Sequence, residues 1–302
     1  MYTEMIEMVE VSPRDGLQNE KTLIATTDKI ALIERAIMAG ARRIEVTSFV
    51  NPKAVPQMAD AESVCEGLPL RDDVTYIGLV MNARGAGRAL ATGRIDQLGA
   101  VSVATDTFAM ANQGQTSDGS VAAAKDIVAM ARDAGKTGQV TIAASFGCPF
   151  EGEVTEARIV DMAAALAEAQ PMEIGLADTI GVGNPAHVAS LVAKVRAAVP
   201  HIPVRVHFHN TRGTGLANVW AAVQAGAVTI DAAIGGLGGC PFAPGAAGNV
   251  STEDVVYMLE RAGVRTGLDL SALVSANHWL GETMQRSLPG MVAKAPSFPK
   301  QA

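Results

Sequence analysis

A (β/α)8 barrel is the fold class this sequence predicts. Eight short runs rich in Val and Ile alternate with stretches of helical period, the alternation continues to about residue 262, and the chemistry-bearing residues gather where the strand candidates end. In a closed parallel barrel that rim is the active-site face. An open doubly wound sheet also alternates strands and helices. Its best support is Gly181-Val182-Gly183-Asn184-Pro185-Ala186, which lies late in the chain, and no acid ends the next strand near Val206. The barrel is therefore preferred.

The first strand candidate covers residues 6–11 and the first helix follows at 26–39. In that helix Ile30, Ile33, Ala36 and Ile37 form a 3.6-residue stripe, with threonines to cap its start and Gly40 to close it. The other strand candidates are 42–47, 74–80, 98–104, 139–145, 172–177, 203–209 and 228–234. Amphipathic segments at 54–67, 84–93, 118–134, 156–169, 185–198 and 214–225 separate them. A last barrel helix starts at Ser251, with Glu253 and Asp254 in its first turn. The whole chain, 1–302, reads as a single TIM-barrel domain: a barrel core of about 6–262 and a short C-terminal helical extension of about 263–302.

With 48% hydrophobic and 18% charged residues, the chain has enough apolar surface for a large core and too little charge for a disordered one. Its net charge of −7 and scattered basic residues argue against a nucleic-acid partner. Cys65, Cys148 and Cys240 are odd in number and widely spaced, which fits neither a disulfide framework nor a zinc ribbon and suggests a reducing compartment. No basic-apolar leader precedes the first strand, and no apolar segment reaches the ~18 residues of a membrane span. A cytoplasmic location and no membrane association are expected.

Three polar clusters stand out: Arg14-Asp15-Gly16, His207-Phe208-His209-Asn210, and the glycine-rich stretch from Gly235 to Asn249. Together they supply a carboxylate, two imidazoles and an amide, a plausible ligand set for a divalent metal. Two residues apart on a strand, His207 and His209 emerge on one face and can converge on an ion, although two hydrogen-bonded imidazoles would read the same. Asp15, after an apolar run, needs a cation, a helix N-terminus or a catalytic role. Asn249 also suits a turn or cap. Cys240 sits among six glycines between Gly235 and Gly248, the composition of a mobile loop at the C-terminal face, where a thiol can reach a substrate. Cys65 and Cys148 read as structural. Glu45 and Asp178 read as inward acids at strand ends that support the histidines, Arg14 or the ion.

The segments RDGLQNEK, IEVTSFVNPKAVPQMAD, GCPFEG, ADTIGVG, the H-x-H pair and GLGGCPFAPGAAGNVSTEDVVYML resemble the 3-hydroxy-3-methylglutaryl-CoA lyases from about residue 8 to 270. That resemblance implies a metal-dependent retro-Claisen cleavage of an acyl-CoA thioester to acetyl-CoA and acetoacetate. It implies that Asp15, His207, His209 and Asn249 hold Mg2+ or Mn2+. Arg14 would face the thioester carbonyl, Cys240 would handle a proton, Glu45 and Asp178 would support, and Gln18 would contact substrate. Arg212, three residues past His209, can hold a substrate carboxylate in a bidentate pair or point to solvent as an ordinary loop arginine; the carboxylate role is expected. A homo-oligomer, dimer or tetramer, is the expected assembly. Asn210 stands where such lyases have Asp, and Arg212 where they often have Tyr. The 105–112 segment lacks their lysines, and Ala143-Ala144-Ser145 replaces a Ser-Cys-Ala-like run. These departures leave open a related substrate, citramalyl-CoA or a longer branched glutaryl-CoA. A condensing acyl-CoA synthase is disfavoured by the GGCPFAPG loop.

Overall fold

The computed structural model of the protein describes residues 5–239 and 248–298. Eight parallel strands close into a barrel in sequence order: β1 (Glu7–Glu10), β2 (Arg43–Ser48), β3 (Thr75–Val80), β4 (Gln97–Val103), β5 (Thr137–Ala143), β6 (Ile174–Asp178), β7 (Val204–Phe208) and β8 (Thr229–Ala232). β8 pairs with β1 through Met8 and Ile230, which removes both sheet edges. Strands buried on both faces are apolar toward the helices and freer in composition toward the lumen. In β7, accordingly, Val204, Val206 and Phe208 alternate with Arg205 and His207, and all five are buried.

The outer ring is α1 (Thr26–Met38), α2 (Ala61–Glu66), α3 (Ala83–Ala91), α4 (Asp106–Gln113), α5 (Ser117–Asp133), α6 (Glu156–Ala167), α7 (Pro185–Ala198), α8 (Gly215–Gln224) and α9 (Thr252–Arg261). Of the expected stripe of α1, Ile33, Ala36 and Ile37 are buried and Ile30 is half-buried, while Leu32 is buried beside them. Side chains of Asn82, Thr116, Thr155, Asn184 and Ser251 cap the starts of α3, α5, α6, α7 and α9 by accepting backbone N–H groups. No helix among the described residues is long and apolar enough to cross a membrane.

Three elements differ from expectation for local reasons. The second helical segment shrinks to α2 because Pro56 starts a separate short turn, Pro56–Met58. α4 has no counterpart in the periodicity, since it buries only Phe108 and Ala109. The eighth strand stops at Ala232, and the chain turns at Ile234–Gly236 with Gly235 at φ +77°.

The lumen holds a charged network rather than the layers of branched aliphatic residues usual in such barrels. Arg43 on β2 donates to Gln97 on β4, Gln139 on β5 and Glu173 just before β6, contacts that must cross the barrel interior. Val9, Val11, Ile77 and Ala233 form a small separate apolar cluster. The extension folds as α10 (Leu270–Thr283) and returns to the rim, where the Gly290 N–H donates to the Gly235 carbonyl at 2.9 Å. Asp254 fastens that return by accepting the N–H groups of Met291 and Val292.

Candidate active site

Arg14 and Asp15 do not end a strand. They sit on one wide helical turn, Ser12–Gly16, which Pro13 helps to start directly after β1. That turn carries Asp15 over the mouth of the barrel. His207 lies in β7 and His209 one residue beyond it, where it bridges Asn249 on the chain returning from the glycine-rich stretch. Among the described residues one group of possible metal ligands forms: Asp15, His207 and His209, with one donor atom of each within 4.8 Å of the others.

Both histidine Nε2 atoms lie 3.8 Å from the same oxygen, Asp15 Oδ2. That is too long for hydrogen bonds, and it suits donors grouped about a shared ion. Asn249 donates its amide to Asp15 Oδ2 at 2.7 Å and to the Leu237 carbonyl at 3.0 Å, while its buried Oδ1 has no partner. A half-turn of the amide would exchange its oxygen and nitrogen. Gly238 makes the close approach possible. Its φ is +112°, and a Cβ there would lie 2.6 Å from Asn249 Nδ2.

Electrostatics keeps the Asp15 carboxyl ionised, the form that can bind a cation. Burial works against an ionised Asp15, but the Arg14 guanidinium and the two imidazoles outweigh it and hold the carboxyl well below its usual range. Arg14 donates to Asp15 Oδ1 at 2.5 Å and, through Nε, to Glu45. Burial pushes Glu45 up, against the pull of Arg14. Burial also disfavours a charged His207, yet its hydrogen bond to Asp231 and the charge of Asp15 raise its pKa.

A cavity of about 160 Å³ opens over this cluster, lined by Arg14, Asp15, Gln18, Glu45, His207 and His209, with Leu79, Met81, Phe108 and Thr179 on its walls. Gln18 is held by Ser48, whose hydroxyl donates to Gln18 Oε1 at 3.2 Å. Glu45 lies midway along β2 rather than at its end. Asp178 is not an inward acid. Its neighbours Ala177 and Thr179 line the cavity, while its own oxygens accept Val182 and Gly183 N–H groups at 2.9 Å, because the pleat turns alternate side chains outward. Asp178 therefore anchors the loop after β6. Arg212 also turns away: it donates to the carbonyls of Ile180 and Gly181 at 2.8 and 3.0 Å and is not among the cavity-lining residues. Cys240 lies outside the described residues; Gly239, its neighbour, lines the cavity, and its carbonyl accepts from Asn19 at 2.7 Å.

Sequence reasoning missed Asp231, Arg205 and Asn19, all of which line the cavity. His207 Nδ1 meets Asp231 Oδ2 at 3.2 Å, the carboxylate–imidazole contact that orients a metal-binding histidine. The signal was present in VRVHFH, where Arg205 shares a strand face with His207 and His209. Asp231 is paired with His207 across the β7–β8 ladder, a register that the order of residues does not reveal.

The profile of the HMGL-like family matches residues 5–280. The chain is 42% identical to the (R)-citramalyl-CoA lyase of Chloroflexus aurantiacus, over 98% of this chain and 97% of that protein. It is 41% identical to the hydroxymethylglutaryl-CoA lyase YngG of Bacillus subtilis, over 95% and 96%. Among solved structures it superposes on an HMG-CoA lyase from Acinetobacter baumannii in complex with coenzyme A and 3-methylmalate, with TM-score 0.93, 41% identity and 99% and 97% coverage.

Proposed function

Since the chain belongs to the HMGL-like family of carbon–carbon lyases, we propose that it cleaves 3-hydroxy-3-methylglutaryl-CoA to acetyl-CoA and acetoacetate. The observation that carries this reading is the convergence of Asp15, His207 and His209 beneath Arg14 in one cavity at the barrel rim. The family depends on a divalent metal, and the donor set fits one: an ionised carboxylate, two imidazoles whose Nε2 atoms point at one oxygen, and a buried amide oxygen without a partner. Asp15, His207, His209 and Asn249 would hold the ion, and oxygen donors beside imidazoles suit Mg2+ or Mn2+. When bound, the ion supplies Lewis acidity toward the oxygens of a 3-hydroxy acid.

In the retro-Claisen step the C3 hydroxyl loses its proton to a base, C3 becomes the ketone of acetoacetate, and the C2–C3 bond breaks. Its electron pair becomes the enolate of acetyl-CoA, which takes a proton at carbon. Arg14, fixed by Glu45 and Asp15, is the donor for the thioester oxygen on which this charge grows. Cys240, which follows Gly239 in the chain, is our candidate for returning the proton. Gln18, inside the cavity, is a substrate contact. The 42% identity to a citramalyl-CoA lyase supports a second reading, citramalyl-CoA as substrate by the same chemistry.

Purified protein assayed on both thioesters, with product identification and with or without chelator, tests the assignment. Chelator should abolish turnover, and added Mg2+ or Mn2+ should restore it. Undiminished turnover in metal-free protein would refute the metal role. A kcat/KM favouring citramalyl-CoA would select the second reading.

A further inference from the structure

Arg205 is completely buried beneath the metal-ligand cluster, and the lyase chemistry leaves it without a task. Its Nη1 donates to Asp231 Oδ2, the same oxygen that faces His207 Nδ1 at 3.2 Å. The other oxygen of Asp231 is buried and has no hydrogen-bond partner, so among the described residues only Arg205 and His207 fix the rotation of that carboxylate. Arg205 is itself braced. Its Nη2 donates to Thr141 Oγ1 at 2.6 Å, and Glu173 Oε1 lies 3.0 Å from its Nε as a charge partner, without hydrogen-bond geometry. Space for the guanidinium comes from Gly175, where a Cβ would lie 2.9 Å from Nη2.

A neutral imidazole carries one N–H. A carboxylate held at Nδ1 keeps the proton there and leaves the Nε2 lone pair toward Asp15. We propose that Arg205 is a positioning residue for the metal site: it locks the Asp231 carboxylate, and through it sets the tautomer and ring orientation of His207. The proposal rests on the reading that Asp15, His207 and His209 hold a divalent cation. It assigns the buried arginine on β7 to metal affinity rather than to barrel stability alone.

The test is Mn2+ binding to full-length protein by calorimetry, with wild type, R205M, D231N and the double variant, and thermal unfolding as a check of folding. R205M should weaken Mn2+ binding by roughly 10–100-fold, the range for lost outer partners of metal ligands. Because both residues act through one contact, the double variant should bind no more weakly than D231N. Long-range 1H–15N spectra of the Mg2+-loaded protein should show the Nδ1–H form of His207 in wild type and a loss of that single form in R205M. If R205M does not fold, G175A pushes on the guanidinium from the far side and should weaken Mn2+ binding in the same direction. Wild-type-like Mn2+ affinity in R205M, or losses that multiply in the double variant, would overturn the role of Arg205. Wild-type protein that takes up no Mn2+ would instead overturn the cation reading itself.

Discussion

Glu253→Gln should change how stability depends on pH. Glu253 lies in the first turn of α9 with its carboxyl group fully buried; Oε2 accepts the Gly235 N–H at 3.1 Å and Oε1 accepts from Asn277 at 2.6 Å. Those contacts do not replace the lost hydration, and burial raises its pKa from the ordinary 4.5 to about 7. Between those two values the folded chain retains a proton that the unfolded chain has released. Stability from this group is therefore fully present below pH 4.5 and lost as pH rises through about 7. A displacement of that size corresponds to about 3 kcal/mol, or roughly 5–10 °C in Tm for a chain this long. Glutamine has the same shape and no charge, so the variant lacks this contribution to the pH profile. The assay is urea unfolding of both proteins from pH 4.5 to 8 with chelator present, taking the difference so that shared titrations cancel. Glu253→Gln should gain on wild type by about 3 kcal/mol across the range. Parallel profiles would refute the buried, raised carboxyl.

Gly238→Ala should keep the fold but lose metal affinity, since its methyl would lie 2.6 Å from Asn249 Nδ2 at a backbone φ of +112°; unchanged Mn2+ binding would contradict that packing. Arg14→Gln should lower kcat by ~100-fold or more with little change in KM, as expected for a donor that meets charge developing in the transition state. A defect confined to KM would move Arg14 to ground-state binding. Arg212→Ala should leave the ratio of kcat/KM between 3-hydroxy-3-methylglutaryl-CoA and citramalyl-CoA unchanged and cost about 1–2 kcal/mol of stability, because its hydrogen bonds go to the Ile180 and Gly181 carbonyls. A shift of tenfold or more in that ratio would restore Arg212 to the acyl pocket.

The barrel, its eight strands and most of its helices were legible in the sequence because strand and helix periods are local: Ile33, Ala36 and Ile37 declare the buried face of α1 without help from any other element. The gathering of Asp15, His207 and His209 was legible too, because unusual polar residues interrupt apolar runs, whereas Asn249, which by itself suits a turn or cap, was singled out only by the family's motif. The direction in which a side chain points was less legible. Asp178 and Glu45 both looked like inward acids, but the pleat sends Asp178 to the Val182–Gly183 loop and leaves Glu45 in the lumen with Arg14. Arg212 looked like a carboxylate receptor, and two backbone carbonyls within its reach occupy it instead. The partnership of Arg205, Asp231 and His207 was decided only by the closed barrel. Register sets residues of different strands side by side, and the lumen lets Arg43 on β2 meet Glu173 before β6, 130 residues away in the chain. Local pattern reports which residues must be buried or polar, whereas the identity of a buried charge's partner depends on closure of the whole sheet.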